Sequence, residues 1–71
     1  MNNENKYDLC FTKTFGIKEK KLPKLQYQDI KEWDSVGHMN LIGVIEEKFS
    51  IQMEIDDIIA FSSFKKGKPL L

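Results

Sequence analysis

The chain has 71 residues, 41% of them hydrophobic and 31% charged, which is the make-up of an ordinary globular domain and a length that holds one domain, residues 1–71. A domain of about 60 residues buries only about 60% of its unfolded surface, so no deep active-site cleft is expected. Eleven Lys balance eleven acids, beside one Cys and one His; these counts exclude an intrachain disulfide, a Cys-rich metal site and a His cluster.

The chain begins Met-Asn-Asn-Glu-Asn and contains no apolar run of membrane-spanning length. No signal peptide and no membrane span are therefore expected, and a cytoplasmic monomer is. The zero net charge hides a pattern. Residues 34–57 carry Asp34, Glu46, Glu47, Glu54, Asp56 and Asp57 against Lys48 alone, a net −5, whereas residues 1–33 are at +2 and residues 58–71 at +3. An acidic middle between basic ends matters to any partner that docks on one face.

In chain order, Tyr7, Phe11 and Phe15 recur every fourth residue with Cys10 beside them, one face of a first helix. Gly16 stops it, and Cys10 reads as a buried small hydrophobe. Residues 16–33 read as a long, packed loop, Lys-rich and containing Pro23, with apolar anchors at Ile17, Leu22, Leu25, Tyr27, Ile30 and Trp33. Trp33 is expected in the core. Asp34-Ser35 opens the strongest helix, with an apolar face of Val36, Met39, Leu41, Ile42, Ile45 and Phe49 that ends near Ser50. Residues 56–60 suit a third helix with acids in its first turn. Ser62 or Ser63 can cap a last helix through Phe64 and Lys66, cut short by Gly67 and Pro69.

Catalytic groups are scarce. The four glycines are scattered rather than gathered in a phosphate-binding loop. Glu54, Asp56 and Asp57 lack the ligand spacing of a calcium loop, so no metal is expected. No basic patch interleaved with aromatics supports nucleic-acid binding, and the best helix is acidic.

The stretch Trp33-Asp34-Ser35-Val36-Gly37-His38-Met39-Asn40-Leu41-Ile42, continued by Ile45-Glu46-Glu47-Lys48-Phe49, resembles the signature of the acyl carrier proteins. Ile51, Met53, Asp57, Phe61 and Phe64 match the rest of that pattern, so the resemblance covers nearly the whole chain. It implies an all-α fold: a small bundle of three long-to-medium helices and one short one, with a long loop between the first two. It also implies a carrier without catalytic activity, bearing 4′-phosphopantetheine on Ser35 and a thioester-linked acyl group at the end of that arm.

The physics of the position agrees. A serine where a loop becomes a helix is open to a modifying enzyme, and the helix N-terminus offers free N–H groups to a phosphate. Asp34 belongs to the same site. His38, three residues on, reads first as a plain surface histidine and second as a phosphate contact. The resemblance places docking contacts at Val36, Met39, Glu46, Glu47, Asp56 and Asp57, although Met39 is equally suited to the core. Leu41, Ile45, Met53, Ile58, Ile59, Phe61 and Phe64 are expected to line the interior. The implied partners are a phosphopantetheinyl transferase and acyl-loading, acyl-modifying or acyltransferase enzymes with basic docking patches.

Gly37 and Asn40 stand where many fatty-acid carriers have acids, and Gly43 replaces a larger apolar residue. These departures point to a specialised pathway rather than bulk fatty acid synthesis. An amino-acyl carrier has the same architecture and remains open. So does a small helical interaction domain in which Ser35 only caps a helix.

Overall fold

A computed structural model describes residues 3–70; residues 1, 2 and 71, which the single-domain reading includes, lie outside the described residues. The described chain is mostly helical, and its only β pairing is an isolated antiparallel bridge between Gln26 and Ser63. Four α-helices run in order: α1 (Asn3–Phe15), α2 (Ser35–Phe49), α3 (Ile55–Ala60) and α4 (Phe64–Gly67).

The four-residue spacing in α1 places Tyr7, Cys10, Phe11 and Phe15 on one buried face that packs chiefly on α2. Gly16 ends α1 at φ +67°, its N–H donating to the Thr12 carbonyl at 2.8 Å. Segment 16–33 is more ordered than a loop. Glu19–Lys24 form a 3-10 helix that buries Leu22. The chain then lies against the start of α4: Tyr27 N–H donates to the Ser62 carbonyl, and Phe64 N–H to that of Leu25, each at 2.9 Å. Pro23 is accommodated inside the 3-10 helix, because so short an element tolerates one missing donor.

Helix α2 is capped at both ends. Asp34 is its N-cap and accepts from the Gly37 N–H at 2.8 Å. Ser50 closes it in the left-handed region at φ 53°, while Ile51 N–H donates back to the Glu46 carbonyl at 3.0 Å. Leu41, Ile42 and Ile45 are buried. Val36 and Met39 are not: they are 70% and 56% exposed, so of the two placements open to Met39 the core one is excluded.

The third helix is six residues long with no fully buried side chain, so the expected set of three long-to-medium helices reduces to two. Phe61 leaves helical geometry at once (φ −77°, ψ 74°) and turns its ring into the core, where it is 1% exposed. That turn leaves Ile55 and Ile59, four apart, on the outer face at 73% exposure each, and only Ile58 packs against the core. Ile59 is thus corrected from an interior residue to a surface one. Ser63 caps α4 by accepting the Lys66 N–H at 3.0 Å. Beyond Gly67 the backbone tightens into a 3-10 turn, Lys68–Leu70.

The core is aromatic. Phe11 sits at its centre, 5.0 Å from Tyr7, 5.4 Å from Trp33 and 5.1 Å from Phe64 between ring centroids, each pair edge-to-face. The Tyr7 hydroxyl donates to the Phe64 carbonyl, tying α1 to α4. Burial pushes the Tyr7 phenol well above its ordinary range, and raises the Cys10 thiol for the same reason.

Candidate functional site at the start of α2

Ser35 is the first residue of α2 and is exposed. The cap is the neighbouring Asp34, whose Oδ1 takes the Gly37 N–H, so the reading of Ser35 as only a helix cap is corrected. The Ser35 hydroxyl has one long contact, 3.4 Å to the Tyr27 hydroxyl. It is therefore a primary-turn hydroxyl facing solvent, with the unpaired N–H groups of a fifteen-residue helix beside it.

Two residues fix the angle at which the chain enters α2. Gly37 is buried, and a Cβ there would collide with the Glu32 carbonyl oxygen. The turn before Ser35 thus passes over α2 at a distance that only glycine allows. Trp33, fully buried, anchors the same turn against Phe11 and Phe15.

His38 is a correction to its reading as a plain surface residue. Its Nδ1 accepts from the Trp33 indole Nε1–H at 2.9 Å, so the ring proton is on Nε2, which donates to the Ile58 carbonyl at 2.8 Å. The imidazole also lies nearly parallel to the indole, at 15° and 6.2 Å between centroids. Both nitrogens are engaged in bracing α3 against α2, and neither is turned to a phosphate at Ser35. Spacing from Ser35 could not find this role, because the partner carbonyl lies twenty residues further along.

The residues expected to dock fall into two groups. Val36, Met39, Glu47 and Asp56 are exposed, and Asp57 is half-buried. Glu46 is half-buried and holds the loop after α2, its Oε2 accepting the Met53 N–H at 2.9 Å. Ile55 and Ile59 add apolar surface on α3 that sequence reasoning had not assigned to docking.

Among the described residues no group of three His, Cys, Asp or Glu side chains could hold a metal ion, and no helix is long and apolar enough to cross a membrane. Tyr27, beside Ser35, opens on a shallow groove of about 210 Å³ lined by His38, Ile58, Ile59, Phe61 and Ser62. Comparison of the chain with protein-family models, with curated proteins and with solved structures gave no match.

Proposed function

We propose that the chain is an acyl carrier protein: a non-catalytic carrier that bears 4′-phosphopantetheine on Ser35 and presents its thioester-bound acyl group to biosynthetic enzymes. The observation that carries this reading is the division of labour between Asp34 and Ser35. Asp34 takes the capping hydrogen bond, which frees the adjacent exposed hydroxyl for modification. A transferase would have Ser35 Oγ attack the β-phosphorus of coenzyme A. The Ser–O–P bond forms, the bond from that phosphorus to the bridging pyrophosphate oxygen breaks, adenosine 3′,5′-bisphosphate leaves, and the serine proton passes to the transferase.

The surface around Ser35 supports a docking role. Val36 and Met39 on the first turns of α2 and Ile55 and Ile59 on α3 expose apolar side chains, and Glu47 and Asp56 on the same two helices are exposed acids, groups suited to a partner that offers both apolar and basic contacts. The clients belong to a specialised pathway, because the acids that many fatty-acid carriers have here are replaced by Gly37 and Asn40. Packing accounts for the first replacement, since no side chain fits at Gly37.

The test is direct. The protein is incubated with coenzyme A, Mg²⁺ and a promiscuous phosphopantetheinyl transferase, and its intact mass is measured. One phosphopantetheine adduct is expected, absent from Ser35→Ala. A folded protein that several such transferases leave unmodified would refute the proposal.

A further inference from the structure

We infer that His38 is a proton-sensitive positioning residue: its neutral ring latches α3 to the turn before α2, and a second proton on the ring releases that helix, whether or not Ser35 bears an arm. Helix α3 is the element most in need of a latch. It has none of the buried side chains that hold α1 and α2, and a helix of six residues is unstable by itself. Its last carbonyls also lack partners within the helix. Ser62 N–H supplies one, donating to the Ala60 carbonyl at 2.8 Å. The Ile58 carbonyl accepts the His38 Nε2–H at 2.8 Å, and among the described residues this bond is what ties α3 to a distant element.

The latch has a fixed polarity. The Trp33 indole N–H can only donate, and it needs the lone pair of His38 Nδ1, 2.9 Å away. A neutral imidazole has one lone pair and one N–H, and here both are spent. An imidazolium has two N–H groups and no lone pair, so it would meet the indole donor to donor. Either the N–H of a fully buried tryptophan then loses its acceptor, or the ring turns and gives up the Ile58 carbonyl. A hydrogen bond accepted by the neutral ring opposes its charging, so the hold on α3 weakens as the second proton arrives.

The surroundings let the proton in and do little to hold it. His38 is half-buried and lines the shallow groove beside Ile58 and Ser62, so water reaches the ring. Tyr27 and Phe61 pack on it edge-to-face, and Tyr27 is the titratable one of the two. The nearest acids along the chain are Asp34, whose carboxylate is taken by the Gly37 N–H, and Asp57, which adjoins Ile58. The face of Trp33 and the C-terminal end of α3 both favour a cation, but the two ring centroids stand 6.2 Å apart and the helix is short. Ile55 and Ile59 ride on α3, so its release also frees them from their place relative to Val36 and Met39.

The test follows amide exchange of the unmodified chain by NMR between about pH 8 and about pH 5, the range in which imidazoles change charge, with the ring nitrogen shifts of His38 recorded alongside. Protection is corrected for the intrinsic exchange rate. At the alkaline end the ring is expected as the Nε2–H tautomer. As the imidazolium forms, protection of the Ile58, Ile59 and Ala60 amides should fall about fivefold, the scale of one net hydrogen bond, with the same midpoint as the ring. The amides of Leu41, Ile42 and Ile45 should keep theirs. His38→Gln offers both an acceptor and a donor and does not titrate, so its α3 protection should stay flat, whereas His38→Ala should show the lower value throughout. An α3 that keeps its protection while the ring titrates, a ring that does not titrate in this range, or an equal loss in His38→Gln would overturn the latch. So would a matching loss in α2, because His38 would then hold the whole fold rather than one helix. Every readout is independent of Ser35, so the carrier reading stands or falls separately on its adduct.

Discussion

The two halves of α2 are built on different terms. In the first half every turn is clasped from outside: Asp34 holds the Gly37 N–H, the Glu32 carbonyl lies over Gly37, and His38 is fixed between the Trp33 indole and the Ile58 carbonyl. The second half is held by its apolar face, with Ile45 buried and Lys6 Nζ 5.8 Å above the Phe49 ring. Gly43 there faces open space. The end of the helix has its own hydrogen bonds, from Ile51 N–H to the Glu46 carbonyl and from Met53 N–H to Glu46 Oε2, but these tie it to the loop that follows, whereas the first half is tied to the turn before it and to α3.

Removing the clasp at its largest member gives the largest effect. Trp33→Ala deletes a fully buried ring that touches Phe11 and Phe15 and strips His38 Nδ1 of its donor. Aromatic-to-Ala changes in cores cost about 3–5 kcal/mol, against a total stability of about 5–15 kcal/mol for most domains. Urea unfolding followed by far-UV circular dichroism should show the midpoint lowered by that cost, a large share of the stability of so small a domain. A loss under 1 kcal/mol would show that the turn before Ser35 is not anchored by the core.

Gly37→Ala acts next, on the same half. The added methyl meets a backbone carbonyl, which cannot rotate away as a flexible side chain can. Overpacking of this kind costs about 1–3 kcal/mol. The turn carrying Glu32–Asp34 should shift with it, so stability should fall and, on the proposed function, transferase modification of Ser35 should slow. Unchanged stability would mean that the turn yields freely and that Ser35 is not held.

How far the sequence disclosed these features follows from the range of the interactions. The faces of α1 and α2 were legible, because Tyr7, Phe11 and Phe15, and Leu41, Ile42 and Ile45, repeat with the helical period. The Asp34–Ser35 boundary and the burial of Trp33 and Cys10 were legible for similarly local reasons. The 3-10 helix Glu19–Lys24 was not, since three Lys and Pro23 surround its one buried residue, Leu22. In α3, Ile55, Ile58 and Ile59 are equally apolar, and six residues are too few for periodicity to choose among them. The choice is made by Phe61, which turns inward and rolls Ile59 out. The bracing by His38 depends on contacts that fold together distant parts of the chain, and the exposure of Val36 and Met39 reflects an unpartnered face. Residue type alone encodes neither.

The smallest effect has the opposite sign and separates the two halves most cleanly. Gly43 is exposed, lies inside α2, and has nothing within 4 Å of the place a Cβ would occupy. Glycine in a helix interior costs about 1 kcal/mol relative to alanine, and here no packing or positive φ repays it. Gly43→Ala should therefore raise stability by about that amount, seen as a higher urea midpoint at unchanged slope. One methyl group added to two glycines six residues apart then moves stability in opposite directions, because one glycine is demanded by a carbonyl above it and the other by nothing in the fold. If Gly43→Ala also slowed the delivery of cargo to a client enzyme while stabilising the chain, the bare surface at Gly43 would be a docking feature. If delivery were unchanged, docking would be confined to the clasped half and to α3.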